Sequence, residues 1–181
     1  MAKKSINIRH IEDAFLTCKK HRDAVSHAKI DIGLSQQIDH YLLRAMVMLI
    51  VSQAEIILEA MFGKKAEKTG IEEFRCLMAS MMDKTFRTPE ISKIVGKLNC
   101  LSKVRGTRLT GELKKRPEIS AHWESLMTAR HAIVHRTNGG AVTLNWNELD
   151  KCYESYLEVL GLVSNALDLT KKEIDEILLA P

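Results

Sequence analysis

Aromatic residues make up only 5% of these 181 residues, and proline occurs three times. So few rings and so much Leu, Ile, Ala and Met argue against a sheet-rich core and for helices packed on helices. The four cysteines, Cys18, Cys76, Cys100 and Cys152, form no CxxC pair and no local Cys/His cluster. That excludes a disulfide framework and a zinc-finger type of fold, and points to a reducing cytoplasm. Met1-Ala2-Lys3-Lys4 is followed by polar sequence with no apolar core of a secretory signal. The longest strictly apolar run, residues 45–51, is far too short to cross a bilayer, so no membrane partner is expected. No glycine-rich phosphate loop is present, which removes P-loop ATPases and dinucleotide enzymes. No Ser-His-Asp or Cys-His arrangement stands out locally.

Charge is present but unevenly spread. The net charge is only +4, yet residues 143–181 hold three basic and eight acidic residues, and the remainder holds 24 against 15. The densest basic cluster is Lys97, Lys103, Arg105, Arg108, Lys114, Lys115 and Arg116, opposed there by Glu112 alone. Such a patch attracts phosphates by long-range potential and counterion release, and makes Lys103, Arg105, Arg108, Lys114, Lys115 and Arg116 candidate RNA contacts. The alternative is a solvated linker between helices.

The apolar periodicity predicts an all-α helical bundle of about five or six helices, forming a single domain over residues 1–181. The first spans residues 8–30 with a stop near Gly33. The second, residues 35–62, is apolar almost all round, as a central helix must be. Arg44, Ser52, Glu55 and Glu59 lie on one stripe of it with Gln53 opposite, and a charged stripe there needs water, a partner charge or a site. Gly63 and Gly70 bracket a turn before a Met-rich helix over residues 71–86. Thr88-Pro89-Glu90 reads as a restart, with Thr88 as N-cap. That helix fades near Gly106 into the basic segment, and Pro117-Glu118 opens the next. Residues 141–144 read as briefly extended. Asn145 or Asn147 then caps the last long helix, to about residue 167, and Thr170-Lys171-Lys172-Glu173 fits a capping box for a short terminal one.

The helix opened by Pro117 ends on Arg130-His131-Ala132-Ile133-Val134-His135, just before Asn138-Gly139-Gly140. Leu126, Ala129 and Ile133 share its core face, and Arg130 sits about 40° from Leu126. His135 follows Arg130 by five residues, about 140° around an ideal helix, so the two side chains splay apart. They meet only if the helix ends near His135 or if a second subunit completes the site. In the structural alternative, Arg130 pairs with Glu55 or Glu59, and His135 caps the helix end. His131 and His135 also form an i, i+4 pair of the kind that binds zinc, but no carboxylate or cysteine at motif spacing completes it. No metal site and no cofactor are expected.

Ala129 to His135 with its glycine-containing turn resembles the Arg-polar-x3-His signature of the HEPN superfamily, in particular the RiboL-PSP-HEPN-like bacterial ribonuclease domains. Tyr41-Leu42-Leu43 through Ser52-Gln53-Ala54-Glu55 is similar to the family's long second helix, where an acidic residue is common. Asn138 to Leu144 and the acidic helix after it are similar to the region following the motif. The resemblance covers roughly residues 41–167. It implies a helical bundle that dimerises with two motifs facing across a cleft, acting as a metal-independent endoribonuclease, often a toxin or phage-defence effector with a protein antitoxin. Arg130 and His135 take the catalytic positions, His131 the supporting polar position, and Glu55 that of an orienting acid. Some family members are silent dimerisation or regulatory modules, and a non-cleaving RNA-binding protein is the further alternative. In that last case Trp123 and Trp146 would stack on bases unless they serve the packing. Toxins paired with nucleotidyltransferases often carry a tyrosine two residues beyond the histidine. Here that position is Thr137, which argues against control by tyrosine modification.

Overall fold

The computed structural model describes residues 8–28, 31–82, 88–135 and 144–179, and the described residues contain eight α-helices and no strand. The longest, α2 (Ile32–Glu67), organises the rest. Asp31 starts it by accepting from the backbone N–H groups of Gly33 at 2.9 Å and Leu34 at 3.2 Å. Gly33 therefore lies in the first turn of α2 and does not end the helix before it. The helix also runs through Gly63, where a turn was expected. An interior glycine costs only about 1 kcal/mol, and the neighbouring Met61, Phe62 and Ala66 are all buried. The chain turns at Gly70, whose φ of 67° is the left-handed conformation that glycine adopts freely.

Around α2 pack α1 (Arg9–His27), α3 (Glu72–Met82), α6 (Pro117–His135), α7 (Trp146–Ala166) and α8 (Lys171–Leu179). By length and composition alone α2 would also pass for a membrane span, and half of that stretch is buried against these neighbours. Its Met46, Val47, Ile50, Ala54, Leu58 and Met61 belong to one continuous apolar cluster that reaches from Ile8 to Ile174.

The basic segment is not a linker. It forms α5 (Lys103–Lys114), a hairpin partner of α4 (Ile91–Leu101), which accounts for much of the excess over five or six helices. Only the extended Ser102, at φ −171° and ψ 132°, separates the two. Lys, Arg, Leu and Glu are strong helix formers, so the run is helical despite Gly106 and Gly111. A Cβ at Gly106 would overlap the side-chain amide of Asn99 on α4.

Helices α6 and α7 run antiparallel: Arg116 pairs with Glu158, while His122 lies 2.9 Å from the Ser155 hydroxyl. Trp123 stacks on Tyr156 with centroids 6.0 Å apart, and its indole N–H donates to the Pro89 carbonyl at 2.8 Å. Trp146 donates to Asp39 at 2.8 Å, with the Arg22 guanidinium 5.6 Å from its ring. Both indoles are therefore packing residues with a satisfied N–H. The expected caps at Asn145 and Thr170 are present as reciprocal boxes with Glu148 and Glu173. The expected cap at Thr88 is not, since α4 begins after Glu90. The predicted extension at 141–143, the turn at 138–140, Thr137 and the end of the Met-rich helix lie outside the described residues.

Candidate functional site

Helix α6 buries Ile119, Trp123, Leu126, Met127 and Ala129. Arg130 follows directly at the edge of that face. Its Nη2 lies 3.8 Å from Glu55 Oε1 on α2, with the two side chains 18% and 24% exposed. Its Nη1 donates to the Thr88 hydroxyl at 3.4 Å. The charged stripe on α2 thus finds its partner charge, and Glu55 is the carboxylate that supplies it. The guanidinium sits at a junction of three elements, which no local pattern reveals. Thr88 lies 42 residues from Arg130 in sequence.

The imidazoles lie on a different face. His131 and His135 are exposed, with ring centroids 4.3 Å apart and an interplanar angle of 41°. His135 therefore stands one turn above His131, as an uninterrupted helix dictates. Helix α6 ends at His135 as expected, but His135 is itself still helical, so this ending does not turn its side chain back towards Arg130. Two apolar side chains stand exposed beside the motif: Ile56, next to Glu55, at 57%, and Val134, one turn beyond Arg130, at 46%.

The basic cluster is more neutralised than its sequence implies. Arg105 reaches Asp168 at 2.7 Å and the Ala166 carbonyl at 2.5 Å, and Arg108 reaches Asp168 at 3.1 Å and the Asn165 carbonyl at 3.3 Å. Arg116 pairs with Glu158, and Lys115 with Glu112 at 2.7 Å. Glu112 is therefore not the only opposing acid, because the acidic C-terminal part of the chain folds against α5. The Arg105 hydrogen bond, helped by Arg108 and Lys65, holds the Asp168 carboxyl below its ordinary range. Lys103 and Lys114 are exposed, and among the described residues neither meets an acid. The face of α5 carries a groove of 460 Å³ lined by Lys103, Arg108 and Lys115 together with Val104, Thr107, Gly111 and the acidic Glu112.

A larger cleft of 700 Å³ lies between the end of α1, the start of α2 and the residues leading into α7, with Arg22, Asp39, His40 and Trp146 among its walls. It draws on three elements, so no sequence motif marks it. No group of three or more His, Cys, Asp or Glu side chains positioned to hold a metal occurs among the described residues. Burial pushes the Cys152 thiol up to about 11, which makes it a poor nucleophile at neutral pH. Compared with family models, curated proteins and solved structures, the chain matches none.

Proposed function

We propose that the chain is a metal-independent endoribonuclease of the HEPN type. It would work in the cytoplasm as a homodimer, as a toxin or phage-defence effector restrained by an antitoxin or other regulatory protein. The observation that carries this reading is the pair of environments at the end of α6. A guanidinium is held half-buried between Glu55 and Thr88, and two exposed imidazoles stand together on the adjoining face.

The chemistry follows from those groups. A neutral imidazole takes the proton from a ribose 2′-hydroxyl as the 2′-oxygen forms its bond to phosphorus. The permanently charged Arg130 binds the phosphate and stabilises the charge that builds on it. The bond from phosphorus to the 5′-oxygen breaks, and that oxygen takes a proton from an imidazolium. The products are a 2′,3′-cyclic phosphate and a 5′-hydroxyl, and DNA, lacking the 2′-hydroxyl, is not cut. Glu55 and Thr88 position Arg130. His131 supports His135. The face of α5 around Lys103, Lys114 and Lys115 attracts the RNA backbone, with Arg105, Arg108 and Arg116 shared between that task and the C-terminal acids.

The Arg130–Glu55 pair also fits a second reading, a structural bridge in a catalytically silent dimerisation or regulatory module, or in an RNA-binding protein that does not cleave. The two separate in one assay: a mixed RNA pool incubated in EDTA with wild type and with folded His135→Ala, with product ends mapped. Cyclic-phosphate ends from wild type alone support the nuclease. Intact RNA in both supports the silent module.

A further inference from the structure

The i, i+4 spacing of His131 and His135 places both side chains on one helical face, as in zinc-binding helices, although here no third His, Cys, Asp or Glu joins them among the described residues, so water must supply the other positions. Their rings already lie together, 4.3 Å between centroids, and both are exposed, so a hydrated ion reaches them without opening the core. Neither ring has a hydrogen-bond or ion-pair partner among the described residues. The neighbouring Arg130 is turned to Glu55, which offsets its charge. His135 is the last residue of α6, where unpaired carbonyls favour a cation.

We propose that His131 and His135 chelate a divalent zinc-class ion, and that bound metal switches the site off. Each ring donates the lone pair of one nitrogen, two water ligands leave the ion, and water fills the positions that remain, so no electron changes hands. A lone pair committed to metal cannot accept the 2′-hydroxyl proton. Imidazole selects zinc, nickel or copper, whereas magnesium and calcium prefer oxygen ligands and would not compete. The switch rests on the nuclease reading above; the chelate does not.

The test uses the full chain, freed of metal and titrated with zinc by calorimetry while the histidine ring signals are followed by NMR. Saturable binding that perturbs both rings, is absent with magnesium, and weakens about tenfold or more in folded His131→Gln and in folded His135→Gln is expected, since each removes half a chelate. No saturable binding, or binding that survives both substitutions, overturns the site. In RNA cleavage without chelator, saturating zinc should slow wild type by about a hundredfold, the scale of a lost general base, with recovery in EDTA. Undiminished cleavage at saturation overturns the switch. A zinc-free chain that cuts no RNA overturns the nuclease reading and the switch with it, and the titration still decides the chelate.

Discussion

Replacing Glu55 by glutamine keeps the shape of the α2 surface and removes the charge facing Arg130. At an effective dielectric constant of 20, two unit charges 4 Å apart attract by about 4 kcal/mol. The pair lies 3.8 Å apart with side chains 24% and 18% exposed. Desolvation and residual screening take back much of that attraction, leaving a net coupling of about 1–2 kcal/mol. Glu55→Gln should therefore lower unfolding stability by about that amount in urea melts. Arg130→Ala made on top should cost less than it does alone, so that a double-mutant cycle returns a coupling of about 1–2 kcal/mol. With Arg130 held only by Thr88, cleavage should fall by about ten- to a hundredfold, mainly in kcat, since a misplaced phosphate ligand loses transition-state contact. Thr88→Val should lower the rate in the same direction and Thr88→Ser should restore it. Additive melts with unchanged cleavage would refute the argument that Glu55 positions Arg130.

Three further outcomes are expected. Gly106→Ala puts a Cβ against the amide end of the exposed Asn99 side chain, which can turn aside, so any loss by thermal melt should stay below about 1 kcal/mol, and Gly106→Ala with Asn99→Ala should melt no lower than wild type. Lys103→Glu with Lys114→Glu should weaken RNA binding and flatten its salt dependence with little change in stability, whereas Arg105→Ala should destabilise the fold, because Arg105 ties α5 to Asp168 and the end of α7. Glu173 is held down from its ordinary 4.5 to about 2, first by the Lys68 hydrogen bond and then by Thr170. A depressed carboxylate stabilises the fold above its unfolded value and loses that contribution as pH falls, so amide exchange should show α8 loosening between pH 4.5 and about 2.

The parts of the fold legible in the sequence are those fixed by chemistry between near neighbours. Pro117 opens α6, and the boxes at Asn145 and Thr170 satisfy backbone groups three residues away, so each shows in a short window. The failures arise where distant contacts outweigh a local preference. The burial of Met61, Phe62 and Ala66 carries α2 through Gly63. The reach of Arg105 and Arg108 to Asp168, about sixty positions on, turns an apparent basic linker into a docked helix. At the site, the stripe on α2 narrows the partner of Arg130 to Glu55 or Glu59, and the structure selects Glu55. Thr88 is invisible as a ligand because its Thr-Pro-Glu context predicts a cap. The angle between Arg130 and His135 follows from the helical period, and the structure keeps them on separate faces because α6 does not end before His135.

That divergence is why the proposed site pairs Arg130 of one protomer with His135 of another. The direct measurement is RNA cleavage in EDTA by wild type, by Arg130→Ala, by His135→Ala, and by the two variants unfolded and refolded together in equal amounts. Each variant alone should be inactive. Half of the mixed dimers pair the two variants and hold one complete site of two, so the mixture should recover about a quarter of the wild-type rate, with cyclic-phosphate ends. A mixture no more active than its inactive components, although mixed dimers form, would contradict a site shared between protomers.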